Sequence, residues 1–85
     1  MMAYMKYIVV KDDCGDVPVI FHSIIPHNEM LNALRGEKNW KLVSAGFVVH
    51  RSEGLECYGS SVTLRVKSRN GEDSELISKL LGVNS

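Results

Sequence analysis

The side chains that could do chemistry are few and scattered. Cys57 with His50 or His22 offers a thiol–imidazole combination, but nucleophilic catalysis needs the two groups within about 3 Å and an oxyanion site beside them. Cys57 falls in phase with apolar neighbours, and free cysteine is among the most buried residue types, so it reads as core packing. Zinc asks for four ligands at close spacing, whereas the 2 cysteines (Cys14, Cys57) and 3 histidines (His22, His27, His50) contain no C-x-x-C or H-x-x-x-H pair. Asp12, Asp13 and Asp16 lack the alternating ligands and distal glutamate of a calcium loop and read as a turn. No glycine-rich phosphate cradle occurs, and no G-x-S-x-G elbow surrounds Ser60 and Ser61. His27, beside Pro26, reads as a helix cap-region residue. The expectation is a protein without catalytic residues, metal or cofactor.

The strongest binding signal is a row of cations. Along the last strand Thr63, Arg65, Lys67 and Arg69 point outward while Val62, Leu64 and Val66 point inward. Arg65, Lys67 and Arg69, with Trp40 and Tyr58 as stacking partners, could follow a phosphate backbone. The plainer reading is a solvated strand face whose charges discourage edge-to-edge aggregation. With 10 Lys plus Arg against 10 Asp plus Glu there is no global positive field, and three phosphate contacts give only weak, shallowly salt-dependent binding. Nucleic acid therefore ranks below a protein partner.

The elements that must position these residues fit one domain over residues 1–85, since a chain of 85 residues holds a single core. Its apolar runs are far shorter than the roughly 18 to 20 residues of a membrane helix. No basic-then-apolar leader opens the chain, so a cytoplasmic location is expected, with the two cysteines as free thiols. Tyr4 to Lys11 is aromatic and β-branched on both faces, as an interior strand is. The Asp12–Asp16 turn leads back through a second strand, Val17 to His22, whose Pro18 suits an edge or strand start. Met30, Leu31 and Leu34 define a helix from His27 to Arg35, stopped at Gly36.

Trp40 to Arg51 alternates as a third strand, with Val43, Ala45, Phe47 and Val49 on one face. Gly46 inside it marks a bulge or the close approach of another backbone. Leu55 to Arg69 reads as a fourth strand with a phase error, so a bulge or bend is expected at Gly59-Ser60-Ser61. Asn70 or Asp73 would cap a second helix carrying Leu76, Ile77, Leu80 and Leu81, closed by Gly82. The predicted fold is α+β, in the order strand-strand-helix-strand-strand-helix: an antiparallel-rich sheet of about four strands with both helices on one face. Ile8, Val10, Leu42 and Val48, or their opposite-face partners, would then be partly wet, to be covered either by a homodimer or, with equal weight, by strand twist and long side chains within the monomer. Whether the Ser44, Ser60 and Ser68 hydroxyls converge depends on the fold.

The strings Val43-Ser44-Ala45-Gly46-Phe47-Val48, Cys57 to Leu64, and Lys67-Ser68-Arg69 with Glu72 to Leu81 resemble small phage and prophage-encoded proteins of unknown function. The resemblance covers roughly half the chain and implies a bacterial or phage-infected cell as the setting. It carries no activity and no functional residue. The expected function is a non-enzymatic protein-interaction module, in the manner of a phage accessory protein; the alternative is weak nucleic-acid binding through the basic last strand.

Overall fold

The computed structural model describes residues 4–35, 40–52 and 54–82. Strands β1 (Tyr4–Asp12) and β2 (Gly15–Phe21) form a hairpin, followed by helix α1 (His27–Arg35), strands β3 (Lys41–Arg51) and β4 (Gly54–Tyr58), a short hairpin β5 (Ser60–Ser61) and β6 (Val66–Lys67), and helix α2 (Gly71–Leu81). The main sheet is antiparallel in the order β2-β1-β3-β4. This is the α+β class and element order expected from the sequence, with the central strand and the Pro18 edge strand where the residue pattern put them. The Gly36 stop lies outside the described residues. Among the described residues no helix is long and apolar enough to cross a membrane.

Local chemistry explains the hairpin. The Asp12 carboxylate accepts the Cys14 N–H at 2.7 Å, and Gly15 takes φ 124°, which an L side chain rarely adopts. Pro18 pairs with Val9 on the outer strand, where a missing N–H is tolerated.

The two helices lie on opposite faces of the sheet, not on one. Alternate residues of β1 divide between two cores. Tyr7 and Val9 pack with Val48, Cys57 and the α2 residues Ile77 and Leu76. Ile8 and Val10 pack with Phe21, Ala45 and the α1 residues Met30, Leu31 and Leu34. Because β1 is apolar on both sides, each side needs its own cover, and each helix of roughly three turns supplies one. The residues expected to be wet are therefore mostly enclosed: Ile8, Val10 and Val48 are buried, and Leu42 is half-buried. The bare face that motivated a homodimer is covered within one chain.

Two phase shifts account for the remaining differences. β1 and β3 slip by one residue, so Val9 faces Ser44 and Val10 faces Leu42. Val43 is thereby extra and turns to the α2 face, against the alternation expected for this strand. The second shift is a break. At Gly59, with φ 80°, the chain leaves β4, and residues 62–65 form a turn between β5 and β6. The single long strand from Leu55 to Arg69 does not exist. Val62, expected inside, is 87% exposed, whereas Leu64 and Val66 do pack on the α1-side core.

Gly46 is a point of close approach. A Cβ there would lie 2.5 Å from the Tyr58 carbonyl oxygen and 3.1 Å from the Ser68 Cβ, so only glycine fits without moving backbone. At α2, Gly82 closes the helix in the left-handed conformation as expected. Asn70 occupies the N-cap position, but its side chain makes no capping bond.

Candidate functional site

The expected basic row is not assembled. Arg65 sits in the β5–β6 turn at φ 56°, and Lys67 lies exposed on β6 opposite Ser60. Arg69 is held by acids: its guanidinium contacts Asp73 Oδ1 at 2.8 Å, Asp16 at 3.2 Å and Glu72 at 3.5 Å. Its charge is thus already matched. Trp40 is half-buried against the α1-side core, while Tyr58 stacks on Phe47 with ring centroids 5.8 Å apart. Trp40 precedes Phe47 by seven positions along the chain, roughly 20 Å of strand, so Trp40 and Tyr58 do not form one stacking platform.

What the chain gathers around Arg69 is a buried polar lock. Asp73, fully enclosed, accepts the Tyr7 phenol on Oδ2 at 2.6 Å and the Arg69 backbone N–H at 2.9 Å. The single phenolic proton goes to the carboxylate, which can only accept. Ser68 therefore donates to the Tyr7 oxygen at 2.6 Å while its Oγ accepts the Asn70 N–H at 2.9 Å. The buried Ser44 hydroxyl also helps hold Asp73 ionised, although its geometry falls short of a formed hydrogen bond. Burial alone would raise the Asp73 pKa; the bonds from Tyr7 and Arg69, aided by the nearby Ser44 hydroxyl, outweigh it and hold the carboxyl below its ordinary value. Burial, reinforced by Asp73, drives the Tyr7 phenol in the other direction, far above its ordinary value. Ser44 and Ser68 thus meet at this lock, and Ser60 does not. The lock ties α2 to β1 and the start of β2, which is a structural task.

Cys57 offers no nucleophile. Burial pushes its thiol up to about 11 against the opposing bond to Ser74, so it stays protonated at neutral pH. Among the described residues no group of three or more His, Cys, Asp or Glu could hold a metal ion.

One open feature is a cleft on the α1 face, of about 440 Å³, lined by Lys6, Pro26, His27, Phe47, Ser60 and Val62, with Gly59 and Thr63 completing its wall; a smaller apolar hollow of about 130 Å³ lies on the α2 face between Met5, Ile20, Leu55 and Leu81. The residues of the larger cleft come from β1, the start of α1, β3 and the β5–β6 hairpin. His27, the first residue of α1, sets its floor. The ring is 5% exposed, edge-on to both Phe21 and Phe47 at 5.6 Å, and its Nε2 lies 2.8 Å from the Gly46 carbonyl. A carbonyl can only accept, so Nε2 carries the proton. Burial lowers the His27 pKa, with nearby Lys6 adding to the effect, and the ring is neutral.

Phe47 joins the floor to the rim. Tyr58 stacks on it, Tyr4 meets it edge-on at 5.6 Å, and Gly59 lies so close that a Cβ there would be 3.0 Å from its ring. Tyr4 and Tyr58 are 47% and 38% exposed. Of the residues expected to bind, only Tyr58 borders this region; Lys6, His27, Phe47 and Val62 were not expected there. Their positions in sequence carry no common signal, because strand register and the turn at Gly59 bring them together. Comparison of the chain with protein-family models, curated proteins and solved structures finds no match.

Proposed function

We propose that the protein is a non-enzymatic interaction module that receives a segment of a partner protein in the cleft between α1 and the β5–β6 hairpin. The observation that carries this reading is the apolar, solvent-open cleft with exposed Val62 in its wall and exposed Tyr4 and Tyr58 packed against its Phe47 ring. Its volume falls within the roughly 300–1,000 Å³ of binding pockets. Exposed aromatic residues around an apolar centre are the composition of interaction hot spots. Its histidine, His27, is neutral and committed to a backbone carbonyl, which favours binding over acid–base chemistry. The phage accessory setting belongs to this reading and rests on the resemblance of the strings named above. Nucleic-acid binding is the less favoured reading, since Arg69 is matched by carboxylates.

The test is quantitative capture from bacterial lysate, before and after nuclease, by the tagged protein and by its Val62→Asp variant. Val62 is almost fully exposed, so the substitution should leave the fold intact, as circular dichroism would check. The reading expects a stoichiometric protein retained by the first and lost by the second. Equal capture by both, or retention of nucleic acid alone before nuclease, would overturn it.

A further inference from the structure

The charge of the cleft is one-sided. Among the described residues of its lining Lys6 is the one charged side chain, His27 is neutral, and none is acidic. Lys6 Nζ donates one bond to the Ile25 carbonyl at 3.2 Å, and an ammonium has three donors. Among the described residues no carboxylate forms an ion pair with it. A cation at the edge of an apolar cleft, with hydroxyls at Ser60 and Thr63 on the hairpin side, selects for a ligand that is apolar and anionic at adjacent points.

We infer that the cleft takes an acidic–apolar peptide segment of a partner protein: an aliphatic or aromatic side chain against Phe47 and Val62, with a neighbouring carboxylate on Lys6. The inference rests on the interaction reading above and adds the chemistry of the partner. A nucleobase fits less well in the cleft, because Tyr58 stacks on the Phe47 ring and Gly59 closes on it, which leaves Phe47 little open plane for a base.

Two capped pentapeptides separate the outcomes, one with a central phenylalanine between glutamates and the other with the same residue between lysines. Each is titrated into isotope-labelled protein and followed by amide chemical shifts. The glutamate peptide is expected to bind about tenfold more tightly at low ionic strength, with shifts concentrated at residues 26–27, 47 and 59–63. Lys6→Gln should bring the two peptides to within about twofold, as expected when the charge-assisted contact is removed. Lys79→Gln on α2, a control, should leave the preference unchanged. A preference that survives Lys6→Gln, equal binding of the two peptides, or no shifts at the cleft each overturns the inference. Equal binding that Val62→Asp abolishes would overturn only the charge argument and leave the interaction reading standing; unaltered lysate capture by Val62→Asp overturns that reading itself.

Discussion

Tyr7→Phe removes one oxygen atom from the polar lock and leaves the ring, so its effect isolates the hydrogen bonds. Tyr7 is fully buried, and its hydroxyl lies 2.6 Å from both Asp73 Oδ2 and Ser68 Oγ. Asp73 would keep the Arg69 backbone N–H and guanidinium, while Ser68 would lose its acceptor. A hydrogen bond to a charged group contributes about 1.5–3 kcal/mol. We therefore expect a loss of about 2 kcal/mol, or about 10 °C in Tm for a domain of this size.

The pH dependence follows from the direction of the Asp73 shift. Its folded pKa lies below the ordinary value, so the carboxylate's contribution is full above about pH 4 and is lost as pH falls through the lower folded value. The penalty of Tyr7→Phe should shrink over the same acid range, because a protonated Asp73 makes only a neutral bond. Urea unfolding at neutral and acid pH, in a double-mutant cycle with Asp73→Asn, measures this directly. A cost below about 0.5 kcal/mol at neutral pH, or strict additivity of the two substitutions, would refute the reasoning.

Gly46→Ala should cost about 2 kcal/mol by overpacking, because its Cβ would meet the Tyr58 carbonyl at 2.5 Å and both atoms are carried by backbone; an unchanged thermal melt would contradict the close approach. His27 has a lowered pKa in the fold, so below about pH 6.5 the unfolded chain takes up a proton that the native ring refuses, and stability falls as pH drops. His27→Gln should flatten that part of the profile in urea titrations, and an unaltered slope would place the titration elsewhere. With its thiol pushed up to about 11, Cys57 should resist iodoacetamide at pH 8 until denatured, while exposed Cys14 reacts in the native protein; peptide mapping that finds native Cys57 modified as readily as Cys14 would restore it as a nucleophile.

Elements whose cause is local could be read from the chain. The Asp12–Gly15 turn, the α1 bounds His27–Arg35, the edge position of Pro18 and the αL closure at Gly82 each follow from one or two neighbouring residues. Gly46 was legible as a close approach, though not what approaches it. The distribution of the helices was not legible, because β1 presents apolar side chains to both faces and the pattern alone does not say which helix covers which. The basic row failed for a specific reason: alternation beyond Gly59 presumed an extended strand, while the chain turns through residues 62–65 and returns. Arg69 leaves the row because the start of α2 places Asp73, four residues on, against its guanidinium, while Asp16 reaches it from the first hairpin. The cleft joins residues from position 6 to position 63, and only register and topology bring them together.

Gly59 couples the fold to the cleft, because it follows the end of β4 and also packs against Phe47. An alanine there must adopt φ near 80°, which costs an L residue about 1–2 kcal/mol. Its Cβ would also press on the Phe47 ring at 3.0 Å and so disturb the aromatic floor of the cleft. Tyr7→Phe acts on the opposite face of the sheet, where Tyr7 packs with α2. Two substitutions of similar cost to stability should therefore separate in their consequences. Gly59→Ala should change the near-ultraviolet signal of the Phe47–Tyr58 stack and weaken capture of the partner, whereas Tyr7→Phe at a temperature where it remains folded should capture the partner undiminished. If both variants lose capture in proportion to their lost stability, the cleft is not the binding surface and the interaction depends only on the folded fraction.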